Sequence, residues 1–195
     1  MLKVAQMKPD YLGFIFYEKS PRSMPDTLHP KELHQLPRRT KKVGVFVNAS
    51  TGYMLKQAKA YRLDLLQLHG NEGPEQCEEL KKAGHQLIKV FSLGREDFDF
   101  SLLEDYKPFV KYFLFDTKGR QPGGNGETFD WSLLRHYDQE IPFFLSGGIS
   151  LENVNQISAL PFLNVHAVDV NSQFEIEPGI KDIYLLQKLK DKMKN

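Results

Sequence analysis

The stretch KVGVFVNASTGYMLKQAKAYRLDLLQLHG (residues 42–70) contains one complete strand–helix–strand unit. Its opening and closing segments are short and almost continuously apolar, which is typical of parallel strands that are covered on both faces. Between them, Ser50 is a suitable N-cap for a helix over residues 51–62. The stretch therefore predicts a β–α–β unit, in which two parallel strands are joined by a helical crossover.

The same alternation continues along the whole chain. Strand-like runs occur at YLGFIF (11–16), KVGVFV (42–47), LLQLHG (65–70), QLIKVF (86–91), KYFLFD (111–116), PFFLSG (142–147) and NVHAVDV (164–170). Helical segments are predicted over 1–8, 29–37, 51–62, 74–84, 151–160 and 180–194 and after residue 131. Strands that alternate with helices in this way indicate a parallel α/β fold with right-handed crossovers.

Two architectures accommodate the seven predicted strands, an open doubly wound sheet and a (β/α)₈ barrel. No Gly-rich dinucleotide or P-loop signature follows the first strand, and the loops rich in Gly, Asp, Ser and Arg follow strands rather than precede them. In a barrel, this pattern places the chemistry at the carboxyl-terminal ends of the strands. We therefore predict an α/β fold of the (β/α)₈ TIM-barrel type, as a single domain over residues 1–195, with seven of the eight strands evident.

The beginning of the chain, MLKVAQMKPDYLGFIF (1–16), predicts the last turns of a helix followed by a buried strand. A helix that leads into a strand usually follows a strand itself, so we expect the first strand of the barrel to precede Met1. A misassigned start codon or a truncated chain explains this arrangement more simply than an evolved loss of the strand.

Composition and charge exclude several classes of protein. With 41% hydrophobic residues, 195 residues suffice for one well-cored domain. The net charge of +1, with both signs mixed, gives no basic footprint, so we expect no nucleic-acid partner. The single cysteine, Cys77, excludes an internal disulfide, and the chain has no signal-peptide pattern and no apolar run of about 18 residues. We therefore expect a cytoplasmic protein that contacts no membrane.

The most informative segment is FDTKGRQPGGNGETFDW (115–131). Its strand ends at Asp116, where a carboxylate can face a bound ligand, and a Gly-rich loop that includes Gly124 can close over that ligand. Asp130 is a suitable cap for a helix that begins at Trp131. Two interpretations of Asp116 are open at this point, a carboxylate that acts on a ligand and a carboxylate that only caps a turn.

Two consecutive loops have the features of a phosphate-binding site. Gly147 and Gly148 follow a strand and precede a helix, so that backbone N–H groups and the helix dipole can hold an anion. The next strand leads into VDVNSQFEIEPGIKD (168–182), where Asn171 and Ser172 can complete the same site. In (β/α)₈ barrels, phosphates are frequently bound by the loops after strands 7 and 8, and these loops take those positions if one strand precedes the chain.

Other polar residues near strand ends are candidate ligand contacts. Arg22 can hold a carboxylate through two hydrogen bonds or be a solvated surface charge. His69 is either a ligand contact or a structural hydrogen-bonding residue, and Gln67 shares its strand face. Cys77 lies in a predicted outer helix, on a face with Leu80, which predicts an unreactive core cysteine. The remaining histidines lack metal-ligand spacing, so we expect no metal.

Six segments, in this order, carry a resemblance to a known family. They are DYLGFIFYEKSPR, VGVFVN, LQLHGNE, FDT followed by GGNGETFDW, LSGGI, and VDVNSQFE followed by PGIKD. Together they resemble phosphoribosylanthranilate isomerase, an enzyme of tryptophan biosynthesis, over nearly the whole chain. The resemblance implies a (β/α)₈ barrel that binds a phosphorylated small molecule and, without a cofactor, converts an aminoaldose into an aminoketose by an Amadori rearrangement.

The resemblance also implies roles for individual residues. The aspartate of FDT, Asp116, is the general acid that protonates the ribose ring oxygen. Arg22 faces the anthranilate carboxylate, and Gly147, Gly148 and residues 171–172 hold the phosphate. A general base then removes the proton at the ribose C2, and the resulting enol relaxes to the ketone.

Two departures from the family pattern affect this prediction. The family usually has Asp-Val-Ser-Ser-Gly where this chain has DVNSQ (169–173), so Gln173 is strained if the usual glycine is left-handed. The family's base is a cysteine in a Lys-Ile/Val-Cys-Gly motif on its first strand, and nothing in MLKVAQMK matches that motif.

These departures predict an impaired enzyme that self-associates through the gap left by the missing strand. Two alternatives remain beside the isomerase. One is a non-catalytic barrel that binds a phosphorylated ligand, and the other is a different phosphosugar barrel enzyme.

Overall fold

The computed structural model describes residues 1–24, 28–94, 98–117, 129–158, 160 and 163–193. Its main sheet has seven strands whose order follows the chain. The strands are β1 (Tyr11–Ile15), β2 (Lys41–Phe46), β3 (Leu65–Leu68), β4 (Gln86–Leu93), β5 (Tyr112–Thr117), β6 (Phe143–Leu145) and β7 (Val165–Val168). All seven predicted strands are confirmed, with ends that differ from the prediction by one to a few residues.

Helical segments lie between these strands, as the sequence predicts. The α-helices are α1 (Leu2–Gln6), α2 (Pro30–Leu33), α3 (Thr51–Tyr61), α4 (Pro74–Lys82), α5 (Val154–Ser158) and α6 (Ile183–Lys192). The 3₁₀ helices are Phe100–Leu103, Trp131–His136 and Ser172–Phe174. Ser50 caps α3, since its side chain accepts from the N–H of Tyr53, and Asp130 caps the 3₁₀ helix that begins at Trp131.

The prediction of a helix from residue 180 onward is wrong at its start. Strands β8 (Glu175–Glu177) and β9 (Ile180–Lys181) form an antiparallel hairpin there, with Gly179 in its turn at a φ of +86°. Asp182 then ends the hairpin and caps α6, because its carboxylate accepts from the backbone N–H groups of Tyr184 and Leu185.

The chain divides into two compact units. The first comprises Met1–Lys89 and Pro108–Lys111, and the second comprises Val90–Lys107 and Tyr112–Asn195. In the first unit, β1 pairs with β2, β2 with β3 and β3 with β4, and all these pairings are parallel. In the second unit, β5 pairs with β6 and β6 with β7, again in parallel. The single domain over residues 1–195 stays a prediction.

The core of the first unit lies between its strands and helices α3 and α4. The Phe46 ring of β2 stacks on Phe16 with centroids 5.1 Å apart and meets the edge of Tyr53 on α3 at 6.2 Å. On α4, Cys77 and Leu80 are both fully buried. The face of the sheet that carries Phe46 therefore faces helix α3, and the prediction of a core cysteine is confirmed.

An aromatic cluster forms the core of the second unit. Phe115 lies between Tyr137 and Phe143, at centroid distances of 5.3 and 5.1 Å. The Tyr137 hydroxyl donates to the carbonyl of Ile141, so this buried polar group is satisfied.

No helix in the described ranges is long and apolar enough to cross a membrane.

Candidate active site

Asp116 directly precedes Thr117, the last residue of β5, and Thr117 holds its side chain. Asp116 is 5% exposed, and its Oδ1 accepts a hydrogen bond from the Thr117 N–H at 2.9 Å. The Thr117 hydroxyl in turn accepts from the Phe129 N–H at 3.1 Å. The carboxylate thus makes the local contact expected of a turn cap and lies where a strand-end acid would act on a ligand.

Gly147 brings the turn after β6 against the same strand end. Its φ is +85°, and a Cβ at this position would lie 2.2 Å from Thr117 Oγ1 and 2.5 Å from Thr117 N. Gly148 also has a positive φ, +62°. Both backbone conformation and space therefore require a residue without a side chain at position 147. The structure brings this predicted phosphate-binding turn beside Thr117, the neighbour of Asp116.

The turn is stabilised by Asn153, which the sequence analysis did not single out. Asn153 Nδ2 donates to the Gly148 carbonyl at 2.9 Å, and its Oδ1 accepts from the Ser150 N–H at 2.8 Å. Helix α5 has only five residues, so its dipole contributes less to anion binding than the sequence analysis assumed. Backbone N–H groups of the turn are thus the main candidates to bind phosphate here.

Asn171 and Ser172 lie in the loop after β7, and that loop is tied to the β8–β9 hairpin. Asn171 Oδ1 accepts a hydrogen bond from Lys181 Nζ, which also lies 2.8 Å from Glu175 Oε1. The backbone N–H of Phe174, a buried residue, donates to the Asn171 carbonyl at 3.1 Å. The side chain that replaces the family's usual serine at position 171 is thereby held by a lysine of the hairpin.

The strain expected at Gln173 is not found. Gln173 lies in the 3₁₀ helix Ser172–Phe174. The described residues other than glycine that have a positive φ are Lys8, Asn48, Arg62 and Gln139. A residue with a side chain therefore fits position 173 without a left-handed backbone.

In the first unit, Arg22 lies in a loop that folds back onto the end of β1. Its backbone N–H donates to Ser20 Oγ at 3.1 Å. Ser23 forms a parallel bridge with Ile15, and the Met24 N–H donates to the Ile15 carbonyl at 2.9 Å. The loop therefore keeps Arg22 at the carboxyl-terminal end of the strand, as the sequence predicts.

Gln67 and His69 are in direct contact with each other. Gln67 Nε2 lies 3.1 Å from His69 Nδ1, and the His69 backbone N–H donates to the Phe46 carbonyl at 2.8 Å. If the amide donates, Nδ1 is the acceptor and the imidazole carries its proton on Nε2. The contact orients the imidazole, and Nε2 is itself buried, which fits the structural interpretation of His69. The ligand contact stays a prediction.

A buried ion pair beneath these residues was missed by the sequence analysis. Lys89 Nζ lies 3.2 Å from Glu72 Oε2, and both side chains are almost fully buried. Two signals in the sequence point to it: a lysine within the apolar strand QLIKVF, and the glutamate of LQLHGNE. Only the structure shows that the two lie together.

Cys77 has the properties of a core residue rather than of a general base. Burial is the main cause that raises the pKa of its thiol from 9.0 to about 11. At neutral pH it is therefore a neutral thiol on α4.

Gly124 lies outside the described residues, and within those residues no group of three His, Cys, Asp or Glu side chains could hold a metal.

Comparison with known proteins shows the family to which the chain belongs. A family model described as PRAI, N-(5'phosphoribosyl)anthranilate (PRA) isomerase, matches residues 1–192. The chain belongs to this family. The curated N-(5'-phosphoribosyl)anthranilate isomerase of Parabacteroides distasonis is 46% identical over 196 residues, which cover 99% of this chain and 84% of the relative.

Solved structures of isomerases in this family agree with the fold. The phosphoribosyl anthranilate isomerase of Thermotoga maritima is 34% identical, with a TM-score of 0.84 over 99% of this chain and 92% of that one. A second isomerase, in complex with reduced 1-(o-carboxyphenylamino)-1-deoxyribulose 5-phosphate, is 31% identical, with a TM-score of 0.78 over 99% and 91% of the two chains. The predicted α/β fold of the TIM-barrel type is confirmed by this likeness.

Proposed function

We propose that the chain is an isomerase of tryptophan biosynthesis that converts N-(5-phosphoribosyl)anthranilate into 1-(2-carboxyphenylamino)-1-deoxyribulose 5-phosphate. The observation that carries this proposal is Asp116, a buried carboxylate at the end of β5, within the FDT motif of a chain that belongs to the isomerase family. The isomerase whose structure contains a reduced carboxyphenylamino-deoxyribulose phosphate supports the same chemistry.

Asp116 acts as the general acid in the proposed mechanism. It donates a proton to the ribose ring oxygen, the C1–O bond breaks, and the ring opens to a Schiff base. A base then removes the proton at C2, which gives an enolamine that relaxes to the ketone of the product. The hydrogen bond from the Thr117 N–H to Asp116 Oδ1 fixes the orientation of the carboxyl group for this proton transfer.

The remaining predicted site residues bind the two charged ends of the substrate. Arg22 pairs with the anthranilate carboxylate, and Gln67 and His69 contact the substrate through polar groups. The phosphate is held by Gly147 and Gly148 together with Asn171 and Ser172, and Gly124 is a further substrate contact. The positive φ of Gly147 and the absence of room for a Cβ support a backbone phosphate site, since such turns direct N–H groups toward an anion.

We further propose that the 195-residue chain converts the substrate slowly. Its single cysteine is buried on α4 with a raised pKa, so it does not supply the cysteine base that the family resemblance implies. Loss of a general base reduces a rate by about 10²–10⁴-fold. Binding of the substrate and of its analogues does not depend on that base, so we expect binding to persist.

The test follows the loss of the substrate's anthranilate fluorescence, with the Parabacteroides distasonis relative assayed beside the chain. Calorimetric titration with reduced 1-(o-carboxyphenylamino)-1-deoxyribulose 5-phosphate measures binding separately. We expect the analogue to bind and turnover to be slower than in the relative. Binding without any turnover would favour the non-catalytic binding protein, and the absence of both would contradict the proposal.

Asp116→Asn tests the general acid directly. We expect it to reduce the remaining turnover by about 10²-fold or more, while the analogue binds within a few-fold of the unmodified chain. Asp130→Asn is the matched control, because it makes the same change at the other end of the loop and keeps an oxygen that can cap the 3₁₀ helix. Equal losses in the two variants would remove Asp116 from the mechanism.

The finer statements about location and association are also proposals. A reducing, cytoplasmic location is supported by a single, fully buried, unpaired cysteine. Self-association is supported by the strand order, in which β1 and β7 each have a strand partner on one side only among the described strands.

A further inference from the structure

An ion pair that the proposed reaction does not use lies where the middle of β4 meets the carboxyl-terminal ends of β2 and β3. The side chains of Lys89 and Glu72 are 3% and 0% exposed, with Nζ and Oε2 3.2 Å apart. We propose that this pair is a positioning element, which fixes the backbone on both sides of His69 so that the imidazole meets the substrate. The inference rests on the proposed function, because it gives His69 a ligand.

Lys89 contacts the chain on either side of His69. Its Nζ donates to the Gly70 carbonyl at 2.7 Å and lies 3.4 Å from the Leu68 carbonyl. The N–H of His69 itself donates to the Phe46 carbonyl at 2.8 Å. Backbone groups of three consecutive residues are thus held, so the Cα–Cβ direction of His69 is determined before any ligand arrives.

Glu72 holds the same segment from the other side. Its Oε2 accepts from the Gly70 N–H at 2.8 Å, and its Oε1 accepts from the Asn48 N–H at 2.7 Å. Asn48 Oδ1 accepts from the Asn71 N–H at 2.7 Å. A Cβ at Gly70 would lie 2.4 Å from Asn48 Oδ1, so the loops after β2 and β3 are packed too closely for a side chain there.

The pair acts through the backbone because it lies on the face of the sheet opposite to Gln67. Lys89 is in register with Leu68, and Leu68 is in register with Phe46, which contacts α3 through Tyr53. Gln67 occupies the alternate position, and side chains alternate between faces along a strand. Lys89 is therefore placed toward the helices, while Gln67, the residue that contacts the His69 ring, projects from the other face.

Stability alone does not require this pair. Burial lowers the pKa of Lys89, and the Glu72 carboxylate opposes that shift. Buried ion pairs are often replaced by apolar residues without loss of stability, whereas removal of one partner leaves an uncompensated buried charge. A variant that removes both charges therefore separates a positioning role from a structural one.

The experiment compares the full chain with Glu72→Gln/Lys89→Met. We expect the double variant to fold with a lower melting temperature, because buried backbone groups lose partners, and to bind reduced 1-(o-carboxyphenylamino)-1-deoxyribulose 5-phosphate about 3- to 10-fold more weakly, the range for one impaired hydrogen bond. The ¹⁵N signals of the His69 ring, identified by their loss in His69→Gln, should shift or broaden. The matched control is Glu78→Gln/Lys82→Met, which removes an exposed pair of 2.9 Å on α4 and should change neither readout.

Each outcome decides the inference. Unchanged analogue affinity and unchanged His69 ring signals in the double variant would overturn it, even if the variant were less stable. If the unmodified chain does not bind the analogue, the proposed function fails, while the ring signals still report whether the pair positions His69.

A measurement on the unmodified chain covers the case in which the double variant does not fold. The amide hydrogens of Gly70 and Asn48 should exchange with solvent as slowly as those of β3, because both donate to a buried carboxylate. Exchange at the rate of an exposed loop would overturn the inference.

Discussion

At Gly147, a left-handed backbone and close packing both exclude a side chain. Gly147→Ala places a Cβ in a left-handed backbone and 2.2 Å from Thr117 Oγ1. We expect it to lower the free energy of unfolding by about 2–4 kcal/mol, which combines left-handed strain with overpacking. Urea unfolding followed by circular dichroism measures this loss.

Gly179→Ala is the matched control for that substitution. Its φ of +86° is nearly the same, but nothing lies within 4 Å of the new Cβ. Gly179→Ala should lower the free energy of unfolding by about 1–2 kcal/mol, the cost of a left-handed backbone at alanine alone. Equal effects at the two positions would show that Thr117 does not confine the turn after β6.

Cys77 makes stability depend on pH in the alkaline range. Because burial raises its pKa from 9.0 to about 11, the thiol ionises more readily in the unfolded chain. Its contribution is fully present below pH 9.0 and is lost as pH rises toward about 11. At about pH 10 the loss should reach about 1.4 kcal/mol relative to neutral pH.

The measurement compares urea unfolding of the unmodified chain and Cys77→Ala at several pH values. The difference in unfolding free energy between the two proteins should shrink as pH rises through this range. A difference that stays constant with pH would contradict the raised pKa.

At the scale of elements, substitution of Asp182 tests how much the N-terminal cap stabilises helix α6. Asp182 Oδ1 accepts from the N–H groups of Tyr184 and Leu185 at 2.9 and 3.1 Å. Asp182→Ala should therefore lower stability by about 1 kcal/mol, whereas Asp182→Asn should keep most of it because asparagine is an equally good cap. Thermal unfolding of the three proteins checks this order, and similar losses in both variants would refute the capping role.

The strands were predictable because their burial is a local property of the sequence. LLQL and YFLFDT are buried at every position, and apart from Gln67, Asp116 and Thr117 their residues are apolar or aromatic, so each appears as a nearly continuous apolar run. The β8–β9 hairpin was not predicted, because Ile180–Lys181 has two residues and continues directly into a helical pattern. Its only local signal is the Pro178–Gly179 turn.

Contacts between residues of the candidate site were predictable only where both residues belong to one sequence motif. Gln67 lies on β3 and His69 directly follows the end of that strand, so their contact is the one expected when the extended backbone continues for one more residue. Glu72 and Lys89 are 17 residues apart on different elements, and nothing in the spacing of their residues indicates a pair. Long-range contacts of this kind depend on strand register, which the sequence alone leaves undetermined.

At the scale of the whole molecule, the outer edge of β1 leads to a prediction about association. The carbonyl of Asp10 and the N–H of Phe16 bond to β2, so the backbone groups of the odd-numbered residues between them point away from it. At Ile15 this edge is already bonded to Met24. Gly13 is exposed at the centre of this edge. We expect the chain to associate increasingly with concentration, and Gly13→Lys to reduce that association, since charged side chains block edge pairing.

Sedimentation velocity over a concentration series measures this association. Gly52→Lys on α3 is the matched control, because it makes the same change of charge where no atom lies within 4 Å of the new Cβ. A chain that stays monomeric throughout the series, or equal effects of the two lysines, would refute association through β1.

The buried pair of Glu72 and Lys89 also constrains how this sequence can evolve. Because loss of either partner leaves a lone charge in the core, a lineage that abandons the pair must pass through a less stable intermediate. The two positions are therefore epistatic, and a substitution at one changes which residues are acceptable at the other. Among descendants of this sequence, positions 72 and 89 should change together or remain as they are.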